Sequence, residues 1–148
     1  MLEPVDGVPP VLHTGTWNGH ALCMAAGAAQ MRALDAEAFG YLAHIGEHYR
    51  ARVRALVAEM GLAVEVTGTH QFSALHYTDH PVRTVADVRR GDVAMARRVG
   101  FSLLSQGFLM YAGRSNLSTA VTEADIARFI AALAVAFDEA GVRARVAA

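Results

Sequence analysis

The chain has 148 residues, 53% apolar and 18% charged, with a formal net charge of −1, which is the size of one ordinary domain with a core of its own. All 13 basic residues are arginine, and the densest run, Arg89-Arg90 and Arg97-Arg98, is broken by Asp87 and Asp92, so the continuous positive footprint of a nucleic-acid binder is missing. Cys23 is the only cysteine and no apolar stretch reaches membrane-spanning length, so no internal disulfide can form, no membrane partner is expected, and a reducing, cytoplasmic setting is the expectation.

Residues 1–16 hold three of the four prolines and read as an irregular lead-in. From Ala21 to about Leu34 the chain is nearly all Ala, Met, Leu and Gln, which are strong helix formers. Asp35 is placed to cap a second helix from Ala36 to about Met60, with Gly61 at its end. Leu42, Ile45, Tyr49, Val53, Leu56 and Met60 recur along it as one apolar stripe. The period then changes. Ala63–Thr67 and Phe72–Tyr77 read as two strands separated by Gly68. Thr84 caps a short helical turn, and Asp92 caps a firmer helix to Ser105, stopped by Gly107. Phe108–Tyr111 and Asn116–Thr119 read as extended pieces around Gly113. Thr122 with Asp125 forms a near capping box for a last helix ending before Gly141. Its buried face draws on Leu117, Val121, Ile126, Phe129, Ile130, Leu133 and Phe137. Hairpin-like strands with helices alongside imply an α+β layer, a small antiparallel sheet flanked by helices.

Four patterns carry chemistry. His44-Ile45-Gly46-Glu47-His48 matches an H-x-x-E-H zinc arrangement, in which histidines four apart share a helix face. Gly46 weakens that helix and no further carboxylate completes the set, so a solvated helix face is the better account and no metal is expected. Ser102, Ser105 and Ser115 lack the G-x-S-x-G turn of a serine nucleophile. Cys23, within an apolar helix, reads as a small buried hydrophobe. Gly15-Thr16-Trp17-Asn18-Gly19, just ahead of a helix, offers N–H groups and a hydroxyl to a phosphate, although taken alone a plain turn and cap explains it better.

Gly15-Thr16-Trp17-Asn18-Gly19-His20-Ala21-Leu22-Cys23-Met24-Ala25-Ala26-Gly27 resembles the G-T-x-x-G-N-P-L-A-M-A-A-G segment of class III aminotransferases dependent on pyridoxal phosphate (PLP), the glutamate-1-semialdehyde 2,1-aminomutase branch in particular. Gly46-Glu47-His48-Tyr49-Arg50 is similar to the family's G-E-x-L-R, and Leu103-Leu104-Ser105-Gln106-Gly107-Phe108 to its L-L-x-x-G-V. Leu117-Ser118-Thr119-Ala120-Val121-Thr122-Glu123-Ala124-Asp125-Ile126 is similar to L-S-x-A-H-T-E-E-D-I. The resemblance runs over about residues 11–140 and implies the C-terminal part of such an enzyme. Residues 1–34 would match the end of the large cofactor domain, and 35–148 the C-terminal small domain of a fold-type I PLP enzyme. It also implies that Gly15 and Thr16 contact the PLP phosphate across a homodimer interface.

The lysine that holds PLP as a Schiff base lies upstream of this motif in the family, as does the aspartate paired with the pyridine nitrogen. This chain contains no lysine, so no catalytic residue is assigned to it and it is expected to be inactive alone. Departures from the family include His20-Ala21 in place of Asn-Pro and a shorter loop between Tyr111 and Leu117 carrying Arg114. Arg114 reads as a surface arginine ahead of a contact to a substrate carboxylate. The parent reaction would be amino-group transfer on a small amino acid such as glutamate 1-semialdehyde, with a missing large PLP domain, or a second chain carrying the lysine, as partner. The alternative is an autonomous, non-catalytic dimerisation or binding module descended from that domain.

Overall fold

The computed structural model describes residues 15–142, in two units, residues 15–38 and 39–142; the lead-in up to Thr14 and the last six residues lie outside the described span. In the first unit, α1 spans Ala21–Ala33 and α2 begins at Ala36, where the Asp35 carboxylate accepts the Ala38 amide at 2.9 Å. Every residue of α1 is exposed, Cys23 included. The expectation of a buried Cys23 is therefore corrected. Apolar side chains surround α1 on all sides, so no single face is marked for a core within this unit.

The second unit holds the rest of α2 (Ala36–Glu59), then β1 (Val64–Thr69), β2 (Phe72–Tyr77), α3 (Val85–Arg89), α4 (Val93–Ser105), β3 (Arg114–Asn116) and α5 (Glu123–Ala140). The strands form one antiparallel sheet in the order β1-β2-β3, with Val66 opposite Leu75 and Ala74 opposite Arg114. The fold is the expected α+β layer. β1 runs two residues past the sequence-based limit, because its register with β2 closes on the pair Thr69 and Phe72.

The two later extended pieces differ from expectation. Tyr111 makes one bridge to Arg114, and of 116–119 only Asn116 belongs to a strand. The reason is the turn at Ala112-Gly113, which hands the chain directly to β3. The Gly113 carbonyl accepts the Leu75 amide at 2.8 Å, and a Cβ on Gly113 would lie 2.5 Å from the Leu75 oxygen. Strand pairing therefore starts at Arg114.

The core is built from Ile45, Tyr49 and Val53 of α2, Val64, Val66, Leu75 and Tyr77 of the sheet, Val99 and Leu103 of α4, and Ile126, Leu133 and Phe137 of α5. Leu117, Val121, Phe129 and Met60 are partly buried against it. Alternation along β1 and β2 sends Val64, Val66, Leu75 and Tyr77 inward and leaves Glu65, Thr67, Ala74 and His76 half-buried on the opposite face. Capping frames the helices. Thr84 with Asp87 and Thr122 with Asp125 make complete capping boxes, and Asp92 accepts the Met95 amide. After α2 and α4 the same return occurs: Leu62 donates to the Val57 carbonyl and Phe108 to the Leu103 carbonyl, which turns an apolar residue back onto the core.

Gly46 decides how α2 meets the hairpin. A Cβ there would sit 1.7 Å from the His70 carbonyl oxygen, so helix and β1–β2 turn touch backbone to backbone. Gly46→Ala should destabilise the chain by about 2–3 kcal/mol through overpacking. Gly40→Ala, exposed on the same helix with open space around it, should instead stabilise by about 0.5–1 kcal/mol. Urea unfolding of both variants checks the pair, and equal shifts in the two would refute the close approach.

The α5 cap carries a pH dependence. Hydrogen bonds from the Thr122 hydroxyl and amide, and then from Arg128, hold the Asp125 carboxyl down to about 2 from 3.8. The folded chain therefore binds this proton less tightly than the unfolded one, and the cap's contribution is present above pH 3.8 and fades as pH falls towards 2. The stability gap between Asp125→Asn and the unchanged chain should narrow across that window in urea titrations.

Candidate functional site

The loop ahead of α1 is a pair of turns. The Asn18 amide donates to the Gly15 carbonyl at 3.0 Å and the His20 amide to the Trp17 carbonyl at 3.2 Å. Gly19 has a φ of 76°, and the His20 ring stacks edge-on to Trp17 rather than capping the helix. The first bond of the helix ladder runs from the Met24 amide to the His20 carbonyl. Among the described residues, the amides of Ala21, Leu22 and Cys23 therefore meet no acceptor, and Thr16, in the turn ahead of the helix, is exposed. The turn that the sequence suggests is present, and a capping side chain is not. Three free N–H groups at a positive helix end, with a hydroxyl in the turn that precedes it, are a donor set of the kind that a phosphate oxygen takes.

In the second unit the chemistry gathers around β3. Thr67, Ala74 and Arg114 form one cross-strand row on the half-exposed sheet face, and Glu65 pairs across to His76 in the next. Thr67 Oγ1 and His76 Nε2 share a hydrogen bond of 2.8 Å. Burial lowers the His76 pKa, the Arg114 charge adds to that, and Glu65 opposes it. Arg114 is exposed and, among the described residues, paired with no carboxylate. It stands at the rim of a groove of about 290 Å³ floored by Tyr49, Phe108, Leu117 and Phe129. On its other side, a shallower depression is lined by Gly68, Phe72 and Asn116.

The zinc-like motif is dispersed by its neighbours. His44 Nε2 lies 3.4 Å from Glu123, and the Glu47 carboxylate takes hydrogen bonds from Arg50 at 2.9 Å and Arg54 at 3.2 Å. The Arg50 hydrogen bond holds the Glu47 carboxyl below its usual range, which makes it a poor base. Among the described residues no group of three metal-type ligands converges. The serines are similarly engaged: Ser102 donates to Glu139, Ser105 to the Ser102 carbonyl and Ser115 bonds Tyr49.

Arg50 has no role in the sequence reading beyond its place in the G-E-x-L-R match. It is 4% exposed, and its guanidinium donates to the His70 and Phe72 carbonyls at 2.7 and 3.2 Å as well as to Glu47. Spacing after Gly46-Glu47 was the available signal. A buried guanidinium needs fixed acceptors, and those come from a turn twenty residues away.

No family model matches the chain. It is 36% identical over 135 residues to a beta-phenylalanine transaminase of Variovorax paradoxus, covering 90% of this chain and 31% of the relative. A glutamate-1-semialdehyde 2,1-aminomutase of Thermus thermophilus is 32% identical over 140 residues, covering 90% of this chain and 32% of the relative. The crystal structure of a beta-phenylalanine aminotransferase from Variovorax paradoxus superposes with a TM-score of 0.76 at 34% identity, over 91% of this chain and 33% of that one. The chain thus spans about a third of the length of the relatives it matches.

Tyr49 gives a measurable handle on the β3 region. Its hydroxyl bonds Ser115 Oγ at 2.8 Å, and burial pushes its pKa up to about 12. A raised folded value means that its stabilising effect is whole below the ordinary value of 10 and is lost as pH rises through 12. Tyr49→Phe should cost about 1 kcal/mol at neutral pH yet move alkaline unfolding, followed by circular dichroism, upward. The transition should remain, since Tyr77 is shifted in the same direction by burial. An unmoved alkaline midpoint would count against this assignment.

Proposed function

The chain is related over nearly its whole length to the C-terminal portion of the class III PLP-dependent aminotransferases, and from that premise we propose that it is the cleft-closing part of such an enzyme. The reading is carried by one observation: about nine-tenths of this chain, but only about a third of each relative, enters the match, in sequence and in fold alike. In this reading residues 1–34 complete a large cofactor domain and 35–148 form the small domain. The assembly is a cytoplasmic homodimer, and the parent moves an amino group to or within a small amino acid.

The donor set fits the cofactor's phosphate end. The Thr16 hydroxyl and the open amides of Ala21, Leu22 and Cys23 would hold the phosphate, with Gly15 allowing close approach in the neighbouring subunit's site. When bound, PLP supplies the electron sink for chemistry at the carbon bearing the amine. The other requirement fails here. No lysine amine exists in the chain, so the tether and the proton transfers at that centre would fall to another segment or chain. Arg114, uncompensated at the groove rim, would orient a substrate carboxylate, and the apolar floor of Phe108, Leu117 and Phe129 would exclude water.

A second reading has its own support. Residues 39–142 contain a closed core with capped helices, as an autonomous non-catalytic module would. A monodisperse oligomer that never acquires a lysine-bearing partner would favour it.

The deciding experiment joins this chain to the lysine-bearing remainder of the Variovorax transaminase. The hybrid should bind PLP and transaminate, and Thr16→Val should weaken PLP retention about ten-fold, as expected for one hydrogen bond to a charged group. Borohydride reduction of the 148-residue chain with PLP should label no side chain, since the α-amino group is the one primary amine present. A covalent label on a side chain of that chain, or a hybrid indifferent to Thr16→Val, would overturn the assignment.

A further inference from the structure

The groove at Arg114 is floored by an aromatic cluster. The Phe129 ring centre lies 5.5 Å from those of Tyr49 and Phe108, tilted at 40° to the first and edge-on at 80° to the second. Leu117, Val121 and Leu109, the last 86% exposed, add to the lining of a space of about 290 Å³. An apolar cavity of about 150 Å³ already takes benzene. Polar groups in the lining are few and mostly engaged. Ser115 Oγ is bonded to the Tyr49 hydroxyl, and the two Asp125 oxygens are taken by Thr122 and Arg128. Among the described residues Arg114 is the one cation of the lining, and it has no carboxylate partner.

Its setting separates Arg114 from the other arginines of the chain. It follows a tight turn closed by its own amide on the Tyr111 carbonyl at 3.0 Å, with Ala112 at a φ of 49° and Gly113 at 74°. A left-handed alanine is unfavourable, and backbone strain of this kind concentrates at functional sites. We propose that the groove binds a carboxylate that carries an aromatic side chain, the carboxylate on Arg114 and the ring against Phe108 and Phe129. A further ring can join the edge-to-face packing of the floor. A second carboxylate, as in glutamate, would lose its water there and meet neither a free donor nor a second cation. A basic tail finds Asp125 already paired with Arg128. That the ligand is the substrate rests on the aminotransferase reading, and it makes the parent an enzyme of aromatic amino acids.

The test titrates the 15N-labelled 148-residue chain with 3-phenylpropanoate, glutarate and 3-phenylpropylamine. The first should shift amides of residues 108–117 and of Phe129, and bind about ten-fold or more tightly than the other two. Arg114→Gln and Leu109→Asp, both at exposed positions, should each weaken it about ten-fold while the rest of the spectrum stays in place. Equal binding of glutarate, shifts confined to other residues, or indifference to Arg114→Gln would overturn the proposal. In the hybrid with the Variovorax remainder, Leu109→Asp should raise KM for an aromatic amino acid more than it lowers kcat. An unmoved KM would mean that the remainder of the fold covers the groove, and would also overturn it. A hybrid without transaminase activity, beside a chain that still binds 3-phenylpropanoate at Arg114, would remove the enzyme reading and keep the ligand class. An active hybrid with a chain that ignores 3-phenylpropanoate would do the reverse.

Discussion

The His70 carbonyl oxygen occupies the space that a Cβ on Gly46 would need, and one turn further along α2 the buried Arg50 guanidinium binds that same oxygen at 2.7 Å. Steric vacancy and charge thus act on one atom. Because Arg50 also reaches the Phe72 carbonyl and Ser73 Oγ, the β1–β2 turn is fixed in translation and in rotation against the helix. With the turn fixed, β2 presents Leu75 and Tyr77 to α4 and α5, and its other edge is left to pair with β3. Glu47 closes the arrangement from outside, balancing the buried charge in a geometry that costs little, since it stays at the surface.

That anchoring leaves the sheet covered on one side only. Alternation then places Glu65, Thr67, His76 and Arg114 on the half-exposed face, while Ser73 is buried on the other. The turn at Ala112-Gly113 brings Arg114 beside Ala74 and lets Ser115 reach inward to Tyr49. The groove at Arg114 is therefore a by-product of strand register. Its apolar floor is the exposed end of the same core that α2 and α5 enclose, so its shape is tied to folding of the whole second unit.

Exposure of large apolar groups follows two different rules in this chain. On α1 they surround the helix, as on an element that is entirely enclosed when its neighbours are in place. On α4 they form a narrow outer stripe on a helix whose inner face is already satisfied. The first pattern suits a missing portion of the same fold. The second belongs to a helix that the fold of residues 39–142 already anchors on one side.

The sequence alone determined the local features, because each is written in a few neighbouring residues. Asp35, Thr84, Asp92 and Thr122 start helices where their side chains meet the amides three residues on. The stripe from Leu42 to Leu56 is buried as its spacing required, and the ordered motifs from Gly15 to Ile126 indicated the family. The lack of lysine was equally legible. What only the tertiary structure decided depends on distant partners: Arg50 as a buried clamp, Gly46 as a contact site rather than a weak point, and Cys23 in the open. Strand pairing likewise placed β3 at Arg114–Asn116, sharing only Asn116 with the extended pieces expected near Gly113, since a residue's β preference is realised only where a neighbouring strand is in register.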